Sequence, residues 1–269
     1  MTKLPDVSVV VTCYNYGRYL ERCIRSLLNQ EPDGSFRYEI ILVDDCSTDG
    51  TSVVAMKYQN LCDSVVYLRN PVNRGLPFSC NYGIDSSSGR YIVRVDADDY
   101  VSRHYLNLLK LVLDKNRTLQ AIACDYYEVD SLERSLRQVS AGEEPIACGI
   151  MYRRECLYEV GLYNERFKYR EGHELNHRFT QKFRIGNLPI PLYFARKHGD
   201  NRSLNAAQIK RFEDCIGKDK CPTTEEKDGS QQSDIHMRQQ QLQAGIHDEE
   251  PRGSDDASAL DRGSSGNIE

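Results

Sequence analysis

From residue 7 to residue 99 the chain sets short β-branched apolar runs between stretches of helical period, and three of these runs stop at polar or acidic residues. Val7-Ser-Val-Val-Val-Thr-Cys13 is almost unbroken in hydrophobicity, the pattern of a parallel strand buried on both faces. Tyr19, Leu20, Cys23, Ile24, Leu27 and Leu28 then recur at helical spacing, which predicts an amphipathic helix over 18–29. Residues 39–43 read as a second strand closing on Asp44-Asp45. The turn Cys46-Ser-Thr-Asp-Gly50 offers caps to a helix over 51–60. A short strand at 65–68, a loop at 70–75 and a helix at 77–85 lead to a strand over 90–96, which ends in Asp96, Asp98 and Asp99.

The second half is less regular. Tyr105, Leu106, Leu108, Leu109 and Val112 mark a helix, 121–129 a strand and 132–144 a polar excursion. A strand over 146–152 precedes a helix near 154–160, and a further helix is predicted over 171–185. Residues 188–195 form a last strand, placed at a sheet edge by Pro189 and Pro191. Strands separated by helical crossovers favour a parallel, doubly wound sheet, whose ligands sit beyond the carboxyl ends of the strands. That rule gathers Thr12 and Asn15, Asp44 and Asp45, and Asp96, Asp98 and Asp99 at one rim. Crowded carboxylates repel, and a divalent cation is the usual remedy. A solvated acidic turn is the plain alternative.

Composition adds limits. The chain of 269 residues suits one good-sized domain or one and a half. Residues 222–269 hold eleven acidic and four basic side chains and no aromatic residue, so an acidic, disordered tail is expected there. The remainder is near neutral, without the basic excess of a nucleic-acid binder. Ten cysteines form no CxxC pair or zinc pattern, which points to a reducing, cytoplasmic setting. No stretch has the length of a membrane span, while peripheral contact with a membrane stays open.

Taken together and in this order, Val9-Val-Val-Thr-Cys-Tyr-Asn15, Val43-Asp-Asp-Cys-Ser-Thr-Asp-Gly50, Asn73-Arg-Gly75, Asn81-Tyr-Gly83 and Asp96-Ala-Asp-Asp99 resemble the family 2 inverting nucleotide-sugar glycosyltransferases. The likeness is close over 5–100 and looser to about 205. It implies the GT-A fold, a Rossmann-like, mostly parallel α/β sheet flanked by helices, with mixed elements on the acceptor side. Residues 1–100 would then be the nucleotide-sugar-binding half and 101–212 the acceptor-binding, catalytic half, with 213–269 as the tail. The implied donor site comprises Thr12, Tyr14, Asn15, Asp44, Asp45, Arg74, Asp96 and Ala97. In it Thr12 lines the base pocket, Asp45 contacts base or ribose, Arg74 faces the nucleotide and Asp96 lies near ribose and metal.

The same resemblance makes Asp98 the principal ligand of Mn²⁺ or Mg²⁺ and lets His198, in a loop after the last strand, join it. Oxygen ligands suit such a hard cation, which steadies charge on a leaving diphosphate. The family's base is commonly the Asp of a Glu-Asp pair at a helix start; here the segment reads Glu171-Gly172-His173-Glu174. Glu171 is the first candidate and Glu174 the second, with His173 open. Alternatively Glu171 merely complements the helix dipole. Tyr14 and Tyr16 either stack on a base or pack the first helix, and Cys46 replaces a glycine usual at its turn.

The function so implied is metal-dependent, inverting transfer from a nucleoside-diphosphate sugar to a hydroxyl on a glycan, lipid or cell-envelope precursor. A sugar nucleotidyltransferase is disfavoured by the single glycine in Tyr14-Asn-Tyr-Gly17, and a dehydrogenase by the missing GxGxxG. A weak or inactive nucleotide-sugar binder draws its support from Gly172.

Overall fold

Every residue of the first strand, β1 (Val7–Cys13), is buried, as its unbroken apolar pattern requires. It pairs in parallel with β2 (Tyr38–Asp44) on one side and β4 (Tyr91–Asp96) on the other, and β2 pairs in parallel with β3 (Val65–Arg69). Helices α1 (Gly17–Leu28), α2 (Thr51–Leu61) and α3 (Leu76–Asp85) supply the crossovers. Each Val or Ile buried between these layers contributes about 1.5–3 kcal/mol relative to exposure. Gly83 shows how closely α3 lies on the sheet: a Cβ there would stand 2.5 Å from a Val10 methyl. The structure, a computed structural model, describes residues 4–31, 36–199, 201 and 205–218. All of these lie within the unit Met1–Pro222, and the acidic tail expected at 213–269 falls outside them from residue 219 onward.

After β4 the sheet becomes mixed. The two-residue β5 (Tyr100–Val101) and α4 (Tyr105–Lys115) lead to β6 (Ala121–Val129) and β7 (Ser135–Val139). Then follow β8 (Met151–Arg153), α5 (Arg154–Val160), α6 (Glu171–Lys182), β9 (Ile185–Arg196) and α7 (Ala206–Glu213). Among the described residues the strand order is β3-β2-β1-β4-β8-β6-β9-β5, with β7 added to β6. β8 is antiparallel to both β4 and β6, and so joins the parallel half to the mixed half.

Four expectations for this half need correction. The polar excursion at 132–144 contains β7, a hairpin partner of β6 with only Val139 buried, so it lacks the apolar alternation that marks a half-buried strand. The strand expected over 146–152 begins only at Met151, and the helix expected to reach 185 stops at Lys182. β9 is not an edge strand but lies between β6 and β5. Its prolines are tolerated because the register with β6 shifts around Asp125, and because β5 pairs only with Tyr193 and Phe194. Among the described residues no helix is long and apolar enough to cross a membrane.

Candidate active site

A cleft of about 1160 Å³ opens at the carboxyl ends of β1, β2 and β4 and continues across the start of α6. Thr12, Tyr14, Asn15, Asp45, Arg74, Asp96, Ala97 and Asp98 line it, together with Glu171 and His173. Asn15, in the left-handed region at φ 58°, accepts the Thr48 N–H through Oδ1 at 2.8 Å, tying the end of β1 to the turn after β2. Cys46 in that turn also has a positive φ, 64°, which is the physical reason glycine suits the position. Asp45 closes the next loop: its carboxylate accepts N–H bonds from Arg74 and Gly75, each at 2.8 Å, and one from Asn70 Nδ2 at 2.7 Å. Thr12 Oγ1 is buried without a hydrogen-bond partner of ordinary geometry, the Cys80 thiol lending it a weak contact. A buried hydroxyl left in that state is costly unless a ligand satisfies it.

Asp44 does not reach the cleft. It is the last residue of β2 and faces β3, where Oδ2 accepts from Tyr67 Oη at 2.9 Å and Arg69 Nη1 at 3.2 Å. Its Oδ1 caps the following turn through Ser47 N at 2.7 Å. The pair Asp44-Asp45 thus divides into a residue bracing the sheet and a residue facing the cleft. Glu174 is also removed from the cleft. Buried in the first turn of α6 after Glu171, it holds Arg178 by two bonds of 2.6 and 2.8 Å. That arginine in turn donates to the carbonyl of Leu162 at 2.6 Å.

The turn after β4 is held from several sides. Tyr193 Oη accepts from Asp96 N at 3.2 Å and donates to Asp99 Oδ2 at 2.7 Å. Arg196 donates its N–H to Asp99 Oδ1 at 2.7 Å and its Nε–H to the Asp98 carbonyl at 2.9 Å. Burial, with Asp98 and Asp96 close by, pushes the Asp99 carboxyl well above the usual carboxylate range. Asp99 therefore serves the turn. Asp98 Oδ2 lies 2.9 Å from His198 Nε2 and accepts from Asn201 Nδ2 at 3.2 Å. His198 itself does not line the cleft; it packs against Tyr16 and Tyr19, with ring centroids 5.7 and 4.7 Å away. Tyr16 thus packs against His198 while also lining the cleft, and Tyr14 lines it 47% exposed.

The donor set fits a hard divalent cation. Asp98 and His198 already meet, and ligand atoms of Asp96, Asp99 and Cys148 lie within 4.8 Å of one another. Asp99 is committed to Tyr193 and Arg196 and Asp96 gives its Oδ1 to Arg94, so the capacity for a cation lies in the other Asp96 oxygen and in Asp98, with His198 beside Asp98.

At the far side of the cleft, α6 starts from Arg170 in the left-handed region at φ 60°. Glu171 is buried and its Oε1 accepts from Arg94 Nη1 at 3.0 Å. Gly172 has a steric cause: a Cβ there would stand 2.3 Å from the Ala147 Cβ and 3.1 Å from its carbonyl oxygen. His173 Nε2 lies 3.0 Å from Arg170 Nη1, and burial followed by that arginine holds the imidazole below its ordinary range. Arg94, Tyr193 and Arg196 escaped the sequence reading. The one available signal was Arg94 itself, a charged residue inside Tyr91-Ile-Val-Arg-Val-Asp96.

A parallel α/β half joined to a mixed half, with an Asp-Ala-Asp-Asp turn at the carboxyl end of β4, defines the GT-A class of transferase folds. This chain belongs to glycosyl transferase family 2, whose sequence profile matches residues 8–187. It is similar to the succinoglycan biosynthesis protein ExoO of Rhizobium meliloti (strain 1021), at 34% identity over 142 residues, 52% of this chain and 39% of that one. It spans 69%, 53% and 37% of the lengths of three other curated glycosyltransferases it resembles. Two solved structures share its fold. S. aureus TarS 1-349 in complex with UDP-GlcNAc gives a TM-score of 0.64 at 23% identity, over 75% of this chain and 61% of that chain. The mannosyltransferase PcManGT from Pyrobaculum calidifontis, in complex with GDP-Man and Mn²⁺, gives 0.62 at 19% identity, over 82% and 67%.

Proposed function

We propose that the protein is a metal-dependent, inverting glycosyltransferase that moves a sugar from a nucleoside-diphosphate sugar to a hydroxyl of a glycan- or lipid-linked acceptor. The observation that carries this reading is the continuity of the cleft: Thr12, Asp45, Arg74, Asp96, Asp98 and Glu171 all line it. Residues 1–100 would bind the donor and 101–212 the acceptor. The solved relatives that hold UDP-GlcNAc, or GDP-Man with Mn²⁺, support a nucleotide-sugar donor, and ExoO supports a role in polysaccharide synthesis. Nine described cysteines are free thiols, which accords with work in the cytoplasm or at the inner face of a membrane.

Thr12 and Asp45 orient the nucleotide and Arg74 faces its phosphates. Asp96, Asp98 and His198 would hold Mn²⁺ or Mg²⁺, which supplies Lewis-acid stabilisation of the departing diphosphate when bound. Glu171 takes the proton of the acceptor hydroxyl as its oxygen attacks the anomeric carbon opposite the leaving group, so the configuration inverts. Position 172 holds no side chain and Glu174 is turned to Arg178, so of the α6 carboxylates Glu171 is the one that lines the cleft, where Glu165 of the preceding loop also lies with its Oε1 on Asn81.

One observation favours a second reading, a binder without turnover: the place of the family's usual aspartate is closed by Ala147. A panel of UDP-, GDP- and dTDP-sugars, screened by thermal shift with and without Mn²⁺ and then for release of nucleoside diphosphate, separates the two. A Mn²⁺-dependent shift with release supports the enzyme. A shift without release supports the binder, and no shift with any donor rejects both.

A further inference from the structure

Arg94 is a buried cation in the middle of β4, its side chain 7% exposed. It is shared by two carboxylates far apart in the chain. Its Nε and Nη2 donate to Asp96 Oδ1 at 2.8 and 2.7 Å, and its Nη1 donates to Glu171 Oε1 at 3.0 Å. The two acceptors differ in setting: the Asp96 side chain is 30% exposed and that of Glu171 only 8%. Asp96 ends a strand of the parallel half, and Glu171 opens α6 in the mixed half. Tyr163 and Cys80 are also close, the ring centroid of Tyr163 lying 5.9 Å from the guanidinium carbon.

We propose that Arg94 is a positioning residue that couples the two carboxylates it holds: what binds at Asp96 sets how firmly Glu171 is held. This rests on the reaction proposed above. A planar guanidinium presents its donors in a fixed fork, so it can grip both carboxylates at once. Its charge, taken out of water, must be offset by whichever carboxylate keeps its own. A cation drawn to Asp96 competes with Arg94 for that carboxylate and leaves Glu171 as the guanidinium's remaining full partner. Glu171 is thereby fixed in place when the donor end is filled. Conversely, removing the Glu171 charge throws Arg94 wholly onto Asp96 and opposes cation binding there.

The test is a double-mutant cycle read by Mn²⁺ binding in the presence of UDP, with free Mn²⁺ followed by electron paramagnetic resonance. Glu171→Gln weakens Mn²⁺ binding about tenfold when Arg94 is present, and less than about twofold in the Arg94→Met background, the size expected of contacting charges. Should Arg94→Met not fold, Arg94→Gln replaces it, because a neutral amide carries no charge to pass between the two carboxylates and the same collapse of the factor follows. Turnover adds an independent reading: Arg94→Lys lowers kcat more than it raises the donor KM. Equal factors in the two backgrounds, or no uptake of Mn²⁺–UDP by the wild-type chain, overturn the coupling. A cycle with the expected factors in a protein that releases no nucleoside diphosphate upholds the coupling and rejects the reaction instead.

Discussion

The parallel half and the mixed half meet at one cleft but hold their cleft-lining groups in different ways. At the ends of β1 and β2, side chains are fixed by backbone groups of neighbouring loops. Asp45 takes the Arg74 and Gly75 N–H groups, and Asn15 takes that of Thr48. At the start of α6 the grip is ionic and spans distant elements: Glu171 on Arg94, and Arg170 on Glu213 of α7. The first arrangement is rigid before any ligand arrives. The second depends on charges that a ligand can redistribute.

Glu171→Gln should produce the largest effect on that contrast. We expect kcat to fall about 10²–10⁴-fold, the range for loss of a general base, with the change in donor affinity held to about tenfold. Steady-state kinetics with a saturating donor checks this, and an unchanged kcat would remove Glu171 from the reaction. Asp98→Ala is expected to cost about 10²-fold in kcat/KM and to remove Mn²⁺-dependent donor binding while circular dichroism stays native. Glu174→Gln sharpens the division inside α6. It should leave kcat within about twofold and cost about 2 kcal/mol in urea unfolding, because it strips Arg178 of a buried partner.

Smaller effects are expected at two further positions. Cys46→Gly relieves a side chain held at positive φ and should raise stability by about 1 kcal/mol, measured by the same urea unfolding. His173 gives a pH signature. Its imidazole is held below the ordinary range in the fold, so the unfolded chain binds the extra proton as pH falls through the usual histidine value. Stability should therefore drop on acidification from neutral, and His173→Gln should flatten that drop. Asp99, raised in the fold, contributes in the opposite sense, losing stability as pH rises from the ordinary carboxylate value. The difference between wild-type and His173→Gln curves, followed by thermal unfolding across pH, isolates the histidine.

The parallel half is largely readable because its signals are local. An apolar run such as Val7–Cys13 states its own burial, and one rule of α/β sheets then brings Thr12, Asp45 and Asp98 together. Pattern alone leaves the tie between Asp44 and Asp45 unresolved; the pairing of Asp44 with Arg69 across β2 and β3 breaks it. The mixed half hides more. Nothing within a few residues of Arg94 announces that it will meet Glu171, and Glu174 stays a second candidate behind Glu171 until α6 turns it to Arg178. β7 stays hidden because a strand with four exposed residues of five has no buried face to write into its sequence.

The fit of Gly172 against Ala147 bears on how this chain can change. An aspartate introduced at 172 alone would collide with Ala147, and shaving Ala147 to glycine still leaves that residue's Cα 3.0 Å from the new side chain. A return to the commoner motif therefore demands concerted replacement of both segments. Libraries that randomise only position 172 should recover glycine and little else, so substitutions at 172 and 147 are expected to be epistatic.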